Sequence, residues 1–415
     1  MIRSLDEFRR AFDARIAKTT GAEPLTHTKP VIAWEGSFLD HGSLSHVNRE
    51  LTGALKNLPG VGIQRVGNGM PAVPGFENLA REISAVASAD AAVTVRHTWP
   101  PNWQRPASGK LAVIQPWEFG SLPQDWVQRA RDVDEFWLPS EYVRRVYIES
   151  GVPAGKVFVV PNGIDPEKFQ PSAAPLKLAT QKKFKFLFVG GTIWRKGPDL
   201  LLKAYLQNFT AADDVCLVIK DFGGNSVYTG QTFEAQIRAA QAISNAPEIL
   251  YLNAELPPEQ LPGLYTACDC LVMPYRGEGF GLPALEAMAC GLPLIVTAGG
   301  ATDDFVRDEF AWRIPAARKT FGSEVSGLKL VQPGWLLEPD LAALGEMMRR
   351  ALANPGEARE RGRLASRHAR QNWSWQNSAA IAAQRIRELA ASPGVPAANL
   401  KPAPVAAVAH LGRLD

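Results

Sequence analysis

Short, nearly continuous apolar runs recur along the chain, separated by stretches with helical spacing. The first series is Val31–Trp34, Ala91–Val95, Leu111–Ile114, Glu135–Leu138 and Val157–Val160. A second begins at Phe184 and continues through Val215–Ile219, Ile249–Leu252, Cys270–Met273 and Leu294–Val296. Runs that do not alternate with polar residues suit strands covered on both faces, and intervening helices imply parallel sheets. Between the series lies Pro166–Pro175, a polar, proline-rich connector that marks a domain boundary. The pattern predicts an α/β protein of two facing doubly wound domains, 1–170 and 171–374, with an interdomain cleft at the carboxyl ends of the strands. Ahead of the first strand, Leu5, Phe8, Phe12 and Ile16 recur at helical spacing after Ser4. Arg3, Arg9, Arg10, Arg15 and Lys18 give this segment the means for peripheral membrane contact; Asp6, Glu7 and Asp13 dilute the charge and favour packing on the body. Residues 391–415 form a Pro/Ala-rich tail.

One strand-to-helix junction carries the most chemistry. After Cys270–Pro274 comes Glu278-Gly279-Phe280-Gly281-Leu282-Pro283-Ala284-Leu285-Glu286. Glycines at a helix entrance let a phosphate approach main-chain N–H groups at the positive end of the helix dipole. A carboxylate accepts two hydrogen bonds from a vicinal diol, so Glu278 and Glu286 suit a transferred sugar and a ribose. Alone, the stretch reads equally as a capped helix with a solvated face. A second junction, Phe186–Val189 followed by Gly190-Gly191-Thr192-Ile193-Trp194-Arg195-Lys196-Gly197-Pro198, shifts the balance. Lys196 there is either a surface lysine before a helix or a cation reaching a diphosphate at the strand end.

Val189-Gly190 with Arg195-Lys196-Gly197, the glutamates with seven residues between them, Cys290–Pro293 with Val296-Thr297, and Val160-Pro161-Asn162-Gly163-Ile164-Asp165 together resemble the family 4 retaining glycosyltransferases of the GT-B superfamily. The resemblance runs from about Trp34 to about Arg387. It implies transfer of a sugar from a nucleoside-diphosphate sugar to an acceptor hydroxyl on a saccharide, polysaccharide or glycolipid precursor, without a bound metal or resident cofactor. It also implies that a helix at 375–390 crosses back onto the first domain. Carried over residue by residue, Gly191, Arg195, Lys196, Glu278, Gly279, Phe280, Gly281 and Glu286 hold the donor, with Lys196 and Glu278 in catalytic roles. Many members have a phosphate-pairing arginine where this chain has Gly191, so Arg195, Arg276 or main-chain N–H groups must assist Lys196, or the diphosphate is held differently.

In the first domain the loop Gly36–Ser43 precedes a helical stretch, and Gly42 with Ser43 offers either phosphate donors or an ordinary cap. His97, at the end of a strand, is the third catalytic candidate, set against a structural histidine. Glu118, Trp99 and Trp117 are acceptor candidates, the tryptophans as a sugar platform or as core.

Bulk properties narrow the partners. With 45 basic and 42 acidic side chains the net charge is +3, which implies no nucleic acid, and Glu357 and Glu360 within Arg349–Arg370 favour a solvated helix face. Cys216, Cys268, Cys270 and Cys290 lack metal or redox spacing and read as buried thiols. Neither a signal-peptide core nor a spanning run is present, so the expected location is cytoplasmic, with the inner membrane face as a site of peripheral contact. Rival readings are an inverting transferase using His97 or Glu118 as base, and a silent sugar-nucleotide or glycan-binding module. A dehydrogenase is weaker, because no Gly-x-Gly-x-x-Gly turn follows a strand.

Overall fold

Two six-stranded parallel sheets organise the chain. The computed structural model describes residues 31–222 and 230–392; the helix expected at Leu5–Ile16 and the tail beyond Ser392 lie outside the described residues. The first sheet contains β1 (Val31–Gly36), β2 (Gly62–Gly67), β3 (Val93–His97), β4 (Lys110–Ile114), β5 (Glu135–Leu138) and β6 (Val157–Val159), in the order β2-β1-β3-β4-β5-β6. β3, β4 and β5 are buried at every position, which is the physical origin of their apolar runs. β2 has no such run: it is an edge strand, and Gln64 and Arg65 interrupt its apolar residues.

The second sheet contains β7 (Phe184–Val189), β8 (Val215–Lys220), β9 (Glu248–Leu252), β10 (Cys270–Met273), β11 (Leu294–Thr297) and β12 (Ala311–Ile314), in the order β12-β11-β10-β7-β8-β9. Phe186, Leu217, Val272 and Ile295 meet Tyr205, Leu344 and Met348 from the covering helices in one buried cluster. Each large apolar side chain so buried contributes about 1.5–3 kcal/mol. An antiparallel pair, Ala316–Thr320 with Trp335–Pro339, follows β12. Its first strand is mostly exposed and reads as polar sequence, so no apolar pattern announces it.

In each sheet the chain reverses its direction of travel once. β2 is laid on one side of β1 and β3 on the other; β8 and β9 extend from one side of β7 and β10 from the other. Such reversals open a crevice at the carboxyl ends of the two central strands. The loops after β1 and β3, and those after β7 and β10, are therefore where side chains can gather around a ligand.

The described residues divide into two units. One takes the chain up to Trp117, then Leu122–Gly163 and the closing helix from Trp375; the other takes Glu118–Ser121 and Ile164–Ser374. The division falls at Gly163 rather than 170, because the Ile164 N–H already bonds to the Trp373 carbonyl at 2.8 Å. The closing helix Trp375–Ala391 packs on the first unit: Trp375 meets His46 edge-on at 5.9 Å, and Arg385 pairs with Glu135 of β5. All four cysteines are free and buried. Among the described residues no helix is long and apolar enough to cross a membrane.

Candidate active site

The loops after β7 and β10 interlock. Arg195 presents its carbonyl to the N–H groups of Arg276, at 2.6 Å, and Gly277, at 3.1 Å. Its guanidinium returns a bond from Nη1 to the Gly277 carbonyl at 2.9 Å, and Arg276 Nη1 bonds to the Trp194 carbonyl at 2.9 Å. This lattice brings Lys196 Nζ to 2.8 Å from Glu278 Oε1, with Arg195 Nη1 at 3.7 Å from the same oxygen. Lys196 lies across Gly190, whose φ of 142° and missing Cβ make the passage possible: a Cβ there would stand 3.2 Å from Nζ.

Burial opposes the charged form of Glu278, but Lys196, then Arg195, together with a Gly279 N–H bond, outweigh it and hold the carboxyl below its usual range. Glu278 is thus an anion between two cations. Lys196 approaches Oε1 off the line of a directed hydrogen bond, and that buried oxygen has no hydrogen-bond partner. It retains acceptor capacity for a hydroxyl.

Gly281, at φ 93°, caps the helix Leu282–Ala289, which starts one residue before Pro283. Phe280 differs from expectation. Its ring is buried between Phe305 and Trp373, 5.1 and 6.2 Å away, so it anchors the turn and offers a ligand only main chain. Gly279 also differs, since its N–H is engaged by Glu278.

Glu286 sits on the same helix about 6 Å along the axis from its start. Burial raises its pKa to about 7, against the hydrogen bond from Tyr265 Oη at 2.6 Å and the more distant Lys168. No hydrogen bond or ion pair joins it to Lys196 or Glu278 among the described residues. Gly191 contributes its carbonyl to the Ile193 N–H at 2.8 Å. The loop around it is fixed by Asp221, which accepts from the Thr192 N–H and Oγ1 and from Tyr251 Oη, at 3.1, 2.6 and 2.8 Å.

Arg276 is not available to a diphosphate. Both Nη2 and the opposite edge of its guanidinium are spent on Asp199 and Glu338, with nitrogen–oxygen distances of 2.7–3.1 Å, and its face lies over Trp194 at 4.5 Å. Glu118 belongs to the same structure rather than to an acceptor pocket: it pairs with Arg195 Nη2 at 3.0 Å, and its carbonyl is packed so closely that position 277 has room only for glycine. Sequence reasoning missed Asp199, Glu338 and Tyr265. Asp199 directly follows the quoted Gly197-Pro198, and an acid in the first turn of a helix carries no signal beyond the helix dipole.

In the first unit, the loop ends of β1 and β3 build a second constellation. Asn48 Oδ1 accepts from Trp34 Nε1 at 2.8 Å, while its Nδ2 donates to the carbonyls of Ser37 and His97 at 2.9 and 3.3 Å. These partners fix the amide's orientation. His97 Nδ1, 3.0 Å from Oδ1, must then carry the proton, leaving Nε2 as a buried acceptor without a partner. Burial lowers the His97 pKa to about 4, so the ring is neutral at pH 7. Gly36 is required here, since a Cβ would press on Asn48 and come to 2.7 Å from the His97 carbonyl.

Two other first-domain expectations change. The Gly42 N–H donates to Asp40 Oδ1 at 2.6 Å, and Ser45 Oγ donates to the other oxygen, so a carboxylate of the protein occupies the helix entrance expected for phosphate. Trp117 is 1% exposed, with its ring 4.9 Å from Trp126, and presents no face to a sugar. Trp99 remains accessible at 38% exposure, edge-on to Trp126 at 6.2 Å.

Comparison with known proteins bears on the family and the fold. The family model for glycosyl transferases group 1 matches residues 174–365, and that for glycosyltransferase family 4 matches 80–168. A D-inositol 3-phosphate glycosyltransferase of Segniliparus rotundus is 30% identical over 228 residues, 54% of this chain and 45% of the relative. A GDP-mannose-dependent alpha-(1-6)-phosphatidylinositol monomannoside mannosyltransferase of Mycolicibacterium smegmatis is 26% identical over 269 residues, 61% and 62% of the two chains. The matches span less than two thirds of these relatives' own length. In fold the chain is similar to sucrose-phosphate synthase from Thermosynechococcus elongatus, with TM-score 0.63, 19% identity, and 87% and 99% of the chains covered. It is also similar to Anabaena HepE in complex with UDP and glucose, with TM-score 0.59, 15% identity, and 87% and 100% covered. The chain belongs to the family 4 glycosyltransferases of GT-B fold.

Proposed function

We propose that the protein transfers a glycosyl group from a nucleoside-diphosphate sugar to an acceptor hydroxyl on a saccharide, polysaccharide or glycolipid precursor, with retention of anomeric configuration. The observation that carries this reading is the Lys196–Glu278 pair at the β7/β10 reversal. The Glu278 carboxylate stands beside Lys196 at 2.8 Å, a position an anionic substrate group could share. Donor binding exchanges these partners. Lys196 turns to the diphosphate, and Glu278 accepts hydroxyls of the sugar.

During transfer the bond between the anomeric carbon and the phosphate oxygen breaks and a bond to the acceptor oxygen forms. The acceptor proton passes to the departing phosphate oxygen when both lie on one face of the sugar. Lys196, aided by the N–H groups at the Gly281 helix entrance, stabilises charge on the leaving diphosphate. His97, neutral and with Nε2 as acceptor, is chemically suited to accept from a hydroxyl without adding charge.

An inverting reaction needs a base matched to working pH. His97, with its pKa near 4, and Glu118, tied to Arg195, are both poorly suited, and this favours retention. Proton NMR of the first-formed product reads the outcome: an anomeric coupling matching the donor's is expected, and an inverted one would refute retention. For the donor, UDP-glucose and GDP-mannose are the first compounds to screen, because relatives and structural neighbours are described with UDP-glucose and GDP-mannose. A true donor at about a hundredfold excess over its Kd stabilises the fold by roughly 2.7 kcal/mol in a thermal melt. Stabilisation without turnover for every nucleotide sugar would leave a silent sugar-nucleotide module, and neither stabilisation nor turnover would leave a glycan-binding one.

Glu286 supplies a pH test. A carboxyl with a raised folded pKa favours folding most below its unfolded value of 4.5, and that contribution is lost as pH rises toward about 7. A ribose diol needs the ionised form, so binding runs the other way. Between pH 6 and 8 the ionised fraction rises roughly tenfold, and affinity for an intact nucleotide sugar, whose phosphates do not titrate there, is expected to rise by about as much. Calorimetry on Glu286→Gln should give weaker, pH-independent binding. A wild-type profile that is flat over this range would remove Glu286 from the ribose.

A further inference from the structure

A cavity of about 690 Å³ opens on the second unit between the connector at Pro166–Pro171 and the helix Pro355–Asn372. The helix contributes Arg359, Arg363, Arg367 and Arg370 to its wall, and Glu167 is the one acid among the lining residues. The lining thus carries four positive charges against one negative. Positions 359, 363 and 367 recur every four residues, so they form one stripe with guanidinium-bearing positions about 6 Å apart along the axis.

A solvated helix face usually neutralises such a stripe with acids one turn away. Here that holds only in part. Arg363 pairs with Glu360 at 2.6 Å, but the two side chains are 52% and 56% exposed, and a pair in that setting is easily exchanged. Arg359 and Arg367 make no hydrogen bond or ion pair among the described residues. Arg359 acts on Asp269 and Arg367 on Glu360 only through their electrostatic fields. Arg370 Nε bonds to the Pro166 carbonyl at 3.3 Å and closes one end of the cavity.

The volume lies within the range of small-molecule sites, roughly 300–1,000 Å³, and a guanidinium matches two phosphate oxygens at once. We propose that this cavity binds a soluble phosphate-bearing molecule. It is separate from the donor loops. Those stand at the amino end of the Leu282–Ala289 helix, whereas the cavity reaches Cys290 and Gly291 past its carboxyl end, about 12 Å further along the axis. Ser366 Oγ, from the arginine-bearing helix, donates to the Ala289 carbonyl at 2.8 Å, so the cavity wall is fastened to the helix that carries Glu286. The inference does not depend on the donor reading.

Isothermal calorimetry with pyrophosphate on the full chain, at about 50 mM salt, tests it. The expected result has two parts. In Lys196→Ala a pyrophosphate site remains, and in the triple variant Arg359→Ala, Arg363→Ala, Arg367→Ala that site weakens by at least about tenfold. Raising salt to about 300 mM should weaken it as well, since the arginines are exposed. The single exchange Arg367→Glu, at an exposed position, repeats the loss with a smaller change to the helix; circular dichroism confirms that each variant is folded. Binding unchanged in both arginine variants overturns the proposal, as does the absence of any site in Lys196→Ala. Capture by phosphatidylglycerol vesicles without a response to pyrophosphate overturns it too, in favour of a membrane-facing patch.

Discussion

Lys196→Ala is expected to lower turnover by roughly 10²–10³-fold, the scale on which enzymes lose one preorganised donor to a developing anion. Within the donor loops the alternatives are already committed: Arg276 is held between Asp199 and Glu338, and Arg195 spans Glu118 and the Gly277 carbonyl. Lys196 has a single carboxylate partner, Glu278, which under the proposed function holds the sugar. If Lys196 acts mainly on the departing diphosphate, kcat and kcat/KM should fall together, because an interaction made in the transition state has been removed. A rise in KM alone would make it a ground-state binding residue. Turnover near that of the unaltered protein would transfer the role to Arg195. The variant also leaves Glu278 buried without its closest cation, so its carboxyl pKa should move upward, and the pH profile of the remaining activity should shift with it.

Most of the strands were legible because buried parallel strands write themselves as uninterrupted apolar runs. The ten runs read from sequence correspond to strands, and several of those missed have polar character: β2 with Gln64 and Arg65, β12 with Arg313, and the exposed strand Ala316–Thr320. The donor loops were legible for a different reason. Glycines fixed by backbone geometry and charges at fixed offsets leave a local signature, and Lys196 and Glu278 meet although 82 positions separate the two loops.

What failed was assignment of partners to charged groups. Arg276 looked like a spare cation because its two carboxylates come from Asp199 and from Glu338, 77 and 62 positions away in sequence. Glu118 looked like an acceptor contact because it follows β4, whereas the chain at 118–121 leaves that unit for the other. Gly42 resembled a phosphate donor until Asp40, two residues earlier, proved to hold its N–H. Trp99 and Trp117 share a composition, and only burial separates the exposed ring from the core one. Gly42 is the exception, since Asp40 two residues earlier makes a local turn; in the other cases the missing information was tertiary, and no local pattern encodes it.

Gly197→Ala tests whether the interlocked loops, rather than the charges alone, create the site. Gly197 has φ 74° and lies against the Pro274 carbonyl, where a methyl group would overlap the oxygen. An L-residue in this conformation costs about 1–2 kcal/mol, and an overlap with main chain adds about 1–3 kcal/mol because neither partner is a flexible side chain. The sum, about 2–5 kcal/mol, corresponds to a fall in melting temperature of roughly 5–15 °C for a unit of this size. Function should suffer beyond the stability loss. Pro274 leads directly into Arg276 and Gly277, whose N–H groups hold the Arg195 carbonyl, so a shift at 197 separates the two loops that set Lys196 against Glu278. Turnover measured well below the melting transition, where the variant is fully folded, is therefore expected to drop by at least about tenfold, since small misplacements of reacting groups carry large kinetic costs. A variant that melts earlier but turns over normally at low temperature would show that the charges find their arrangement without the loop lattice, and that the glycine serves stability alone.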